Sequence, residues 1–388
     1  MRDFPGVLAI LLVALGVAPA QSVGVAPIFI VAADINGDGS LDLVVANTAL
    51  GSGSVSILLG NGDGTFQPAT FVRIGNYPRS IAVADFNRDG KLDLAVANEG
   101  PTGGGGLAIL LGNGDGTFLP PVFLTSGVNP ASLVAADFNA DGIVDLAVAN
   151  SEQFQTSPPF KSGSISILLG NGDGSFGPPS FFSAGTFPIA ITAADFNGDG
   201  KLDLAAANFG GTSLAVLMGN GDGTFQPATF VGAGREPFSI TSADLNGDGN
   251  ADLIAANHSI TSTGGSISVS LGGGDGTFQP TLYFHAGQGT VFVTAGDFNL
   301  DGIPDLAVAD SGGSGTGGVA ILLGNGDGTF QRPRIVSAGL HPQAIAVGDF
   351  NRDGNPDLAV VNSGRFPQPG TVSILLGDGK GGFQPDRE

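Results

Sequence analysis

The 388-residue sequence contains no cysteine and no tryptophan, and only two tyrosines, two methionines and three histidines. Without cysteine the chain can form neither a disulfide nor a thiol-linked lipid anchor. Lysine and arginine number 14 against 35 acidic residues, so the clustered positive charge that nucleic acid requires is missing. Nucleophile motifs, phosphate loops and histidine metal clusters are also missing, which argues against the commoner catalytic sites.

Residues 1–20 are predicted to be a secretory signal peptide. Arg2 gives a minimal basic start, residues 6–18 form a 13-residue apolar run, and residues 18–20 (Ala-Pro-Ala) suit cleavage. The run is short for a bilayer span, while Asp3 weakens the basic start and leaves an uncleaved anchor as the alternative. We expect a secreted, periplasmic or cell-surface protein with no membrane span in the mature chain.

A repeat of about 50 residues dominates the remaining sequence. The 66 glycines, 24 prolines and 42% hydrophobic residues of the whole chain are typical of many short strands joined by turns. The pattern D-x-N-x-D-G-x-x-D-L begins at Asp34, Asp85, Asp137, Asp195, Asp244, Asp297 and Asp349. The pattern G-x-G-D-G-[TS]-F follows each of the first six, and a degenerate copy ending at Phe383 follows the seventh. Residues 21–388 are therefore predicted to form a single repeat architecture of seven units.

Each unit contains four strand-like runs and no helical pattern. In the second unit these runs cover residues 80–86, 92–98, 107–111 and approximately 120–125. The second and third runs are apolar at successive positions, which predicts burial of both faces. Four-stranded sheets buried on both faces predict an all-β, seven-bladed β-propeller. A stacked β-roll is the alternative, but such rolls repeat every nine residues.

The spacing of the chain ends predicts how the ring closes. From the motif Phe to the residue that starts the next unit, each of the first six units has 13 residues, as in 66–78 and 118–130. Residues 383–388 and 21–27 together supply the same number. We therefore predict that the N- and C-terminal segments together complete the last blade, which removes exposed sheet edges.

The first pattern predicts up to seven structural Ca²⁺ sites, because calcium prefers several oxygen ligands around a tight turn. Positions 1, 3, 5 and 9 supply side-chain oxygens, position 7 supplies a carbonyl, and glycine at position 6 allows the bend. The predicted ligands are Asp34, Asn36, Asp38, Ser40, Asp42; Asp85, Asn87, Asp89, Lys91, Asp93; Asp137, Asn139, Asp141, Ile143, Asp145; Asp195, Asn197, Asp199, Lys201, Asp203; Asp244, Asn246, Asp248, Asn250, Asp252; Asp297, Asn299, Asp301, Ile303, Asp305; and Asp349, Asn351, Asp353, Asn355, Asp357.

Two alternatives concern these turns. Metal-free Asx turns would also use Asp, Asn and Gly, although three carboxylates in one loop repel one another without a cation.

The G-N-G-D-G-T-F segments are predicted to be hairpin turns whose Phe packs between blades. A second, weaker cation site is the other interpretation of these segments, with Asp63, Asp115, Asp173, Asp222, Asp275 and Asp327 as its candidates.

The unit DFNRDGKLDLAVAN…LAILLGNGDGTF closely resembles the FG-GAP/VCBS repeat of the bacterial type, over residues 27–383. This resemblance implies a propeller like the integrin α-subunit head, with calcium in the loop between first and second strands. It also implies roles in adhesion, glycan binding or, in some members, polysaccharide lyase scaffolds. The fold is thus better specified than the function.

Length variation between the units predicts the binding face. From the Asn that ends the second strand to the motif Phe, the gap ranges from 17 residues (Asn208 to Phe225) to 26 (Asn150 to Phe176). Insertions on one face of a repeat protein are typical of a binding surface. Residues 151–163 form the longest such loop and the preferred contact segment. The candidate ligand-binding residues are Tyr77, Arg79, Glu236, His341, Phe154, Lys161, His258 and Arg365.

Three functions remain open from the sequence. The preferred one is a monomeric, non-catalytic binding or adhesion module for an extracellular glycan or protein. A polysaccharide lyase would need a general base and a group that neutralises a uronate, for which Tyr77, Arg79 and His341 are the candidates. A purely structural envelope scaffold is the third.

Overall fold

The computed structural model describes residues 20–48, 53–100, 105–152, 162–258, 264–312, 317–365 and 367–384. Within these ranges the chain is all-β and forms seven four-stranded antiparallel sheets, which are the blades of a β-propeller. No helix of the described ranges is long and apolar enough to cross a membrane. Residues 1–19 of the predicted signal peptide lie outside the described part of the chain.

Each blade is a meander built from its innermost strand outwards, and β1 (Gln21–Val25) precedes the first blade. Blade 1 contains β2 (Pro27–Ala33), β3 (Asp42–Asn47), β4 (Gly53–Leu58) and β5 (Thr70–Gly75). Blade 2 contains β6 (Pro78–Ala84), β7 (Asp93–Asn98), β8 (Gly106–Leu110) and β9 (Val122–Leu124). Blade 3 contains β10 (Pro130–Ala136), β11 (Asp145–Asn150), β12 (Ser162–Leu168) and β13 (Ser180–Thr186). Blade 4 contains β14 (Pro188–Ala194), β15 (Asp203–Asn208), β16 (Ser213–Leu217) and β17 (Thr229–Gly232).

The remaining blades follow the same plan. Blade 5 contains β18 (Pro237–Ala243), β19 (Asp252–Asn257), β20 (Gly265–Ser270) and β21 (Leu282–Gly287). Blade 6 contains β22 (Thr290–Gly296), β23 (Asp305–Asp310), β24 (Gly318–Leu322) and β25 (Arg334–Ser337). Blade 7 contains β26 (Pro342–Gly348), β27 (Asp357–Asn362) and β28 (Pro369–Leu375), and its fourth strand is β1.

The second strand of every blade is buried on both faces, as the continuous apolar runs predict. All six residues of β3 are buried, and its side chains alternate between two cores. Leu43 and Val45 pack in the cluster shared with blade 7, whereas Val44 and Ala46 pack in the cluster shared with blade 2. The described residues thus form an apolar core between each pair of neighbouring blades rather than one central core.

Strand β1 closes the ring by pairing with β28. Gln21 lies opposite Val372 and Ser22 lies opposite Thr371 in an antiparallel register. Val23 joins the apolar cluster between blades 7 and 1. The predicted closure of the last blade by the N-terminal segment is confirmed, whereas residues 385–388 lie outside the described part.

The first strands of the blades contact one another around the central axis, so the fourth strands lie outermost. In such a meander, the first-to-second and third-to-fourth connections share one end of the propeller, which we call the acidic end. The second-to-third connections and the links between blades share the opposite end, which we call the cup end.

Candidate functional site

The predicted calcium loops lie at the acidic end and are held by hydrogen bonds to their own backbone. In blade 1 the backbone N–H groups of Asp38 and Gly39 donate to the Asp34 carboxylate at 3.0 and 2.7 Å. The Ser40 N–H donates to Asp38 at 2.7 Å. Gly39 has a φ of +84°, a conformation that permits the sharp bend. Corresponding bonds recur in the other six loops.

The ninth-position aspartate is fully buried and connects each loop to the hairpin beside it. Asp42 accepts the Ile35 N–H at one carboxylate oxygen and the Gly60 N–H at the other, at 2.9 and 2.7 Å. This pair of bonds is made by Asp42, Asp93, Asp145, Asp203, Asp252, Asp305 and Asp357. Burial raises the pKa of all seven, that of Asp357 to about 6. The sequence predicted only a metal-binding role for these residues and did not indicate this structural one.

The loops fit calcium by the chemistry of their donors rather than by a preformed cluster of carboxylates. Carboxylate, amide and carbonyl oxygens are the ligands that calcium prefers. In the described ranges, no group of three or more Asp, Glu, His or Cys side chains is arranged so that it could hold a metal ion. Asn36 Nδ2 donates to Asp38 Oδ2 at 2.9 Å, and a hydrogen bond from the Ser40 N–H lowers the pKa of the exposed Asp38. The side chains at these positions are thus held by hydrogen bonds within the loop, and calcium binding there stays a prediction.

The second motif forms hairpin turns whose phenylalanines pack between blades, as predicted. The Asp63 carboxylate accepts the Thr65 hydroxyl and the Thr65 N–H, at 2.5 and 3.0 Å, and these bonds lower the pKa of Asp63. Phe66 packs edge to face on Phe350 of blade 7 with ring centroids 5.9 Å apart. The same contact recurs in the pairs Phe86–Phe176, Phe138–Phe225, Phe196–Phe278 and Phe298–Phe383. Asp63 already accepts two bonds from Thr65, and a cation site at these turns stays a prediction.

At the cup end, the residue before the first strand has an uncommon backbone conformation in six of the seven blades. Ala26, Tyr77, Asn129, Phe187, Glu236 and His341 all have φ between 52° and 59°. Bulky residues such as Phe187 rarely adopt this left-handed region, which costs roughly 1–2 kcal/mol per residue. Each backbone carbonyl accepts the N–H of the residue after the second strand, as Tyr77 accepts that of Glu99 at 3.0 Å. Because the contact that recurs in every blade is made by the backbone, the side chain at this position can differ between blades.

The axial opening at the cup end is a cavity of about 220 Å³ with two different walls, which we call the cup. All seven blades contribute to its lining. The wall from blades 4 to 6 is apolar and consists of Phe187, Ile189, Phe209, Phe238, Val291 and Phe292, together with Ala190 and Ser239 at its base. The wall from blades 2 and 3 is mainly polar and consists of Arg79, Ser80, Glu99, Ala131, Ser132 and Ser151. Blade 1 adds Ile28 and Phe29, and blade 7 adds Gln343.

Contacts between side chains define both walls. In the apolar wall, the ring centroids of Phe187 and Phe209 are 5.9 Å apart and those of Phe209 and Phe238 are 5.8 Å apart. In the polar wall, Arg79 Nε donates to Glu99 Oε2 at 2.5 Å. The Glu99 side chain is only 12% exposed, so the ion pair is partly shielded from water.

The structure brings few of the predicted ligand-binding residues together. Arg79 lines the cup, and His258 packs on Phe238 at 5.7 Å between ring centroids. Of the described residues that line the cup, none is Tyr77, Glu236, His341 or Arg365. His341 instead donates from Nδ1 to the Ser311 carbonyl at 3.1 Å. The predicted contacts Phe154 and Lys161, with most of the 151–163 loop, lie outside the described residues.

The aromatic wall was not predicted from the sequence. Phe209 and Glu99 each follow the Asn that ends a second strand, and Phe238 follows the proline that begins a first strand. Comparing these two positions across the seven units would have found the wall, because phenylalanine occurs there only in blades 4 and 5.

The fold and the repeated loops define a seven-bladed β-propeller of repeats that carry aspartate-rich turns. A family model described as "FG-GAP-like repeat" matches residues 34–96, 87–148, 157–206, 195–255 and 297–360, which together exceed half of the chain. The chain therefore belongs to the FG-GAP-like repeat family, as the sequence resemblance indicated. No curated protein is significantly similar to it.

Two solved structures resemble the propeller at low sequence identity. One is a functionally unknown protein from Desulfotomaculum acetoxidans, with a TM-score of 0.54 and 12% identity, which covers 80% of this chain and 86% of its own. The other is described as a "putative 6-phosphogluconolactonase" from Bacteroides uniformis, with a TM-score of 0.57 and 14% identity, over 92% of this chain and 95% of its own. At such identity the likeness shows the fold alone.

Proposed function

We propose that the chain is an exported, calcium-stabilised, non-catalytic module that binds an extracellular glycan or protein at its cup end. The observation that carries this proposal is the cup, to which every blade contributes side chains around one axis. A concave, largely apolar cavity with a few converging polar groups is the usual form of a binding site. Glu99, Ser151 and Phe209 of its lining are the first residues of connections whose length varies, which agrees with the prediction of a binding face.

Calcium is supported by the repetition and chemistry of the acidic loops. Positions 1, 3, 5, 7 and 9 of each loop would hold the ion, and calcium would supply a structural cross-link without taking part in a reaction. Burying the ninth-position carboxylates beside two further aspartates is unfavourable, as their raised pKa values indicate. A bound divalent cation would offset this cost.

Export is supported by residues 1–20, which have the pattern of a secretory signal peptide. The acidic loops agree with it, because millimolar calcium is characteristic of extracellular modules. An exported propeller without disulfides would depend on such ions for additional stability.

The non-catalytic assignment is supported by the positions of the residues considered for a lyase. Arg79 is paired with Glu99, whereas Tyr77 and His341 belong to blades 2 and 7 and are not part of the cup lining among the described residues. A general base and its partner must lie within hydrogen-bond reach of one substrate. These three side chains do not meet that requirement around the cup.

The test incubates the calcium-loaded mature chain with a panel of insoluble polysaccharides and measures two signals in the same samples. Depletion of the protein without new reducing ends would support a non-catalytic glycan-binding module. New reducing ends would contradict the non-catalytic assignment. If neither signal appears, the panel's glycans are excluded as ligands, and a protein ligand or a scaffold role takes their place.

A further inference from the structure

The cup is divided by blade into an apolar half and a polar half. Phe187, Phe209 and Phe238 form a continuous set of rings on blades 4 and 5. Arg79 and Glu99 are on blade 2, in the opposite part of the lining. A ligand that fills this cup must therefore present an apolar surface on one side and hydrogen-bonding groups on the other.

The polar half has donors and acceptors but no net charge. Arg79 Nε is bonded to Glu99, so the Nη groups of the guanidinium are the donors that a ligand can use, and Glu99 Oε1 is the matching acceptor. Serine hydroxyls of blades 2 and 3 add groups that both donate and accept. Because Glu99 balances the charge of Arg79, the cup offers an anionic ligand no net positive charge. The chain's net charge of −21 also repels polyanions.

The depth of the cup limits the size of the ligand. Phe29 of blade 1 and Phe292 of blade 6 meet edge to face with centroids 6.1 Å apart. Both rings border the cup and also a second axial cavity lined by Ile81, Leu133 and Ile191, so they lie where the two spaces adjoin. Clefts for drug-sized ligands occupy roughly 300–1,000 Å³. A cup of about 220 Å³ therefore accepts a smaller group, entering from the open end.

We propose that the cup binds one uncharged sugar ring at the end of a glycan chain; this inference rests on the proposed function. A pyranose ring has C–H groups on its faces and hydroxyls at its edge, which match the phenylalanine wall and the Arg79–Glu99 pair. A purely apolar side chain of a protein ligand would displace water from the partly buried Arg79–Glu99 pair without replacing the lost hydrogen bonds. A uronic acid would be repelled by the Glu99 carboxylate, and the Arg79 charge that could attract it is already paired with Glu99.

The experiment titrates the calcium-loaded mature chain with methyl glucoside, methyl galactoside, methyl mannoside and N-acetylglucosamine, and follows binding by calorimetry or ligand-observed NMR. Methyl glucuronide is the charged counterpart, and N-acetyltyrosinamide represents a protein side chain. We expect at least one neutral sugar to bind at one site per chain, and the glucuronide to bind at least tenfold more weakly. Oligosaccharides of that sugar should bind once per chain end, whatever their length.

Matched variants identify the cup as the site. Phe209→Leu and Arg79→Gln should each weaken sugar binding at least tenfold, whereas Phe230→Leu on the outer rim and Arg235→Gln outside the cup lining should change it less than twofold. Glu99→Gln should reduce the discrimination against the glucuronide, because the cup then carries the Arg79 charge; a merely structural role for Glu99 would not change this ratio. Thermal unfolding of each variant verifies that it is folded.

Each outcome is decisive for one of the two proposals. If the neutral sugars fail to bind while polysaccharide depletion or N-acetyltyrosinamide binding is observed, the sugar-end inference is wrong and the binding module stands. Sugar binding that persists in both Phe209→Leu and Arg79→Gln would place the sugar elsewhere and overturn the inference. Failure of every sugar to bind, together with failure of the depletion assay, would contradict the sugar-end inference and leave a protein ligand or a scaffold role.

Discussion

At the scale of the residue, the buried ninth-position aspartate has two roles that involve the same carboxylate oxygens. Asp93 accepts the N–H groups of Phe86 and Gly112, at 2.9 and 2.7 Å, and it is also a predicted calcium ligand. Each carboxylate oxygen has lone pairs for more than one partner, so the roles are compatible. The hydrogen-bonding role joins the acidic loop to the hairpin of the same blade and does not depend on calcium.

We predict that Asp93→Ala lowers the free energy of unfolding by about 3 kcal/mol, because two buried N–H groups lose their acceptor. Asp93→Asn should cost less, since one oxygen remains. Asp115→Ala, in the exposed turn of the same blade, is the control and should cost about 1 kcal/mol or less. Urea unfolding in EDTA and in calcium measures all three. A loss that occurs only in calcium would contradict the hydrogen-bonding role.

At the scale of the element, the outer strands hold neighbouring blades together through glycines. The backbone of Gly185, in the fourth strand of blade 3, lies against Asn208 and Phe230 of blade 4. The Phe230 ring is 59% exposed, yet one edge of it covers this glycine. Equivalent exposed side chains, Phe71, Phe123, Phe181, Tyr283 and Ile335, recur on the outer strands of other blades.

Gly185→Ala is expected to destabilise the propeller more than Gly364→Ala. Both glycines have positive φ, at +93° and +65°, so both substitutions incur backbone strain. At Gly185 the added Cβ would lie 2.6 Å from Asn208 Nδ2 and 2.9 Å from Phe230 Cε1, whereas at Gly364 the nearest atom is 3.6 Å away. The difference should be about 1–3 kcal/mol in chemical denaturation. Equal losses of stability in the two variants would show that blades 3 and 4 move apart easily enough to accommodate the added Cβ at Gly185.

The pairing of β1 with β28 can be tested with an engineered disulfide, because the chain has no cysteine of its own. Ser22 and Thr371 are directly opposite, which suits disulfide geometry. The Ser22→Cys, Thr371→Cys double variant should form an intramolecular bond on oxidation and gain about 4 kcal/mol of stability over its reduced form. The single variants serve as controls. Failure to form the bond in the folded protein would contradict closure by β1.

At the scale of the whole molecule, the two ends differ sharply in charge. Three aspartates in each of seven loops and one in each of seven turns assign 28 of the 35 acidic residues to the acidic end. The cup end has few charges, and the Arg79–Glu99 pair neutralises two of them. Seven Ca²⁺ would reduce the net charge of −21 to −7. This difference in charge agrees with the proposals that the acidic end binds cations and that the cup end binds an uncharged ligand.

Removal of calcium is expected to destabilise the whole propeller. With 1 mM calcium and a site Kd of about 0.1 mM, each occupied loop would contribute about 1.4 kcal/mol, and seven loops would contribute about 10 kcal/mol. The unfolding temperature should rise strongly between EDTA and 1 mM calcium, and much less with magnesium, which requires stricter geometry. Metal analysis of the dialysed protein counts the ions. Equal unfolding temperatures and no bound metal would contradict the calcium proposal.

The fold could be predicted almost completely because its determinants are local and repeated. The buried second strands, the turn dipeptides and the spacing between units follow from short stretches such as residues 92–98. The site was predicted less well. Arg79 was among the candidate ligand-binding residues, but its partner Glu99 was not. Phe209 and Phe238 were not proposed, because phenylalanine in a strand-rich chain is ordinarily a core residue.

The sequence by itself determined the number of blades, the closure by residues 21–25 and the set of oxygen donors in each acidic loop. Each of these depends on residues that are neighbours in the chain or on the count of repeats. Only the tertiary structure decided which side chains meet at the axis, where Phe29 contacts Phe292 from blade 6. It also decided that Asp42 reaches Gly60 in the adjacent hairpin. The physical reason is that blade formation and ring closure bring together residues that are distant in the chain, and no local pattern encodes those contacts.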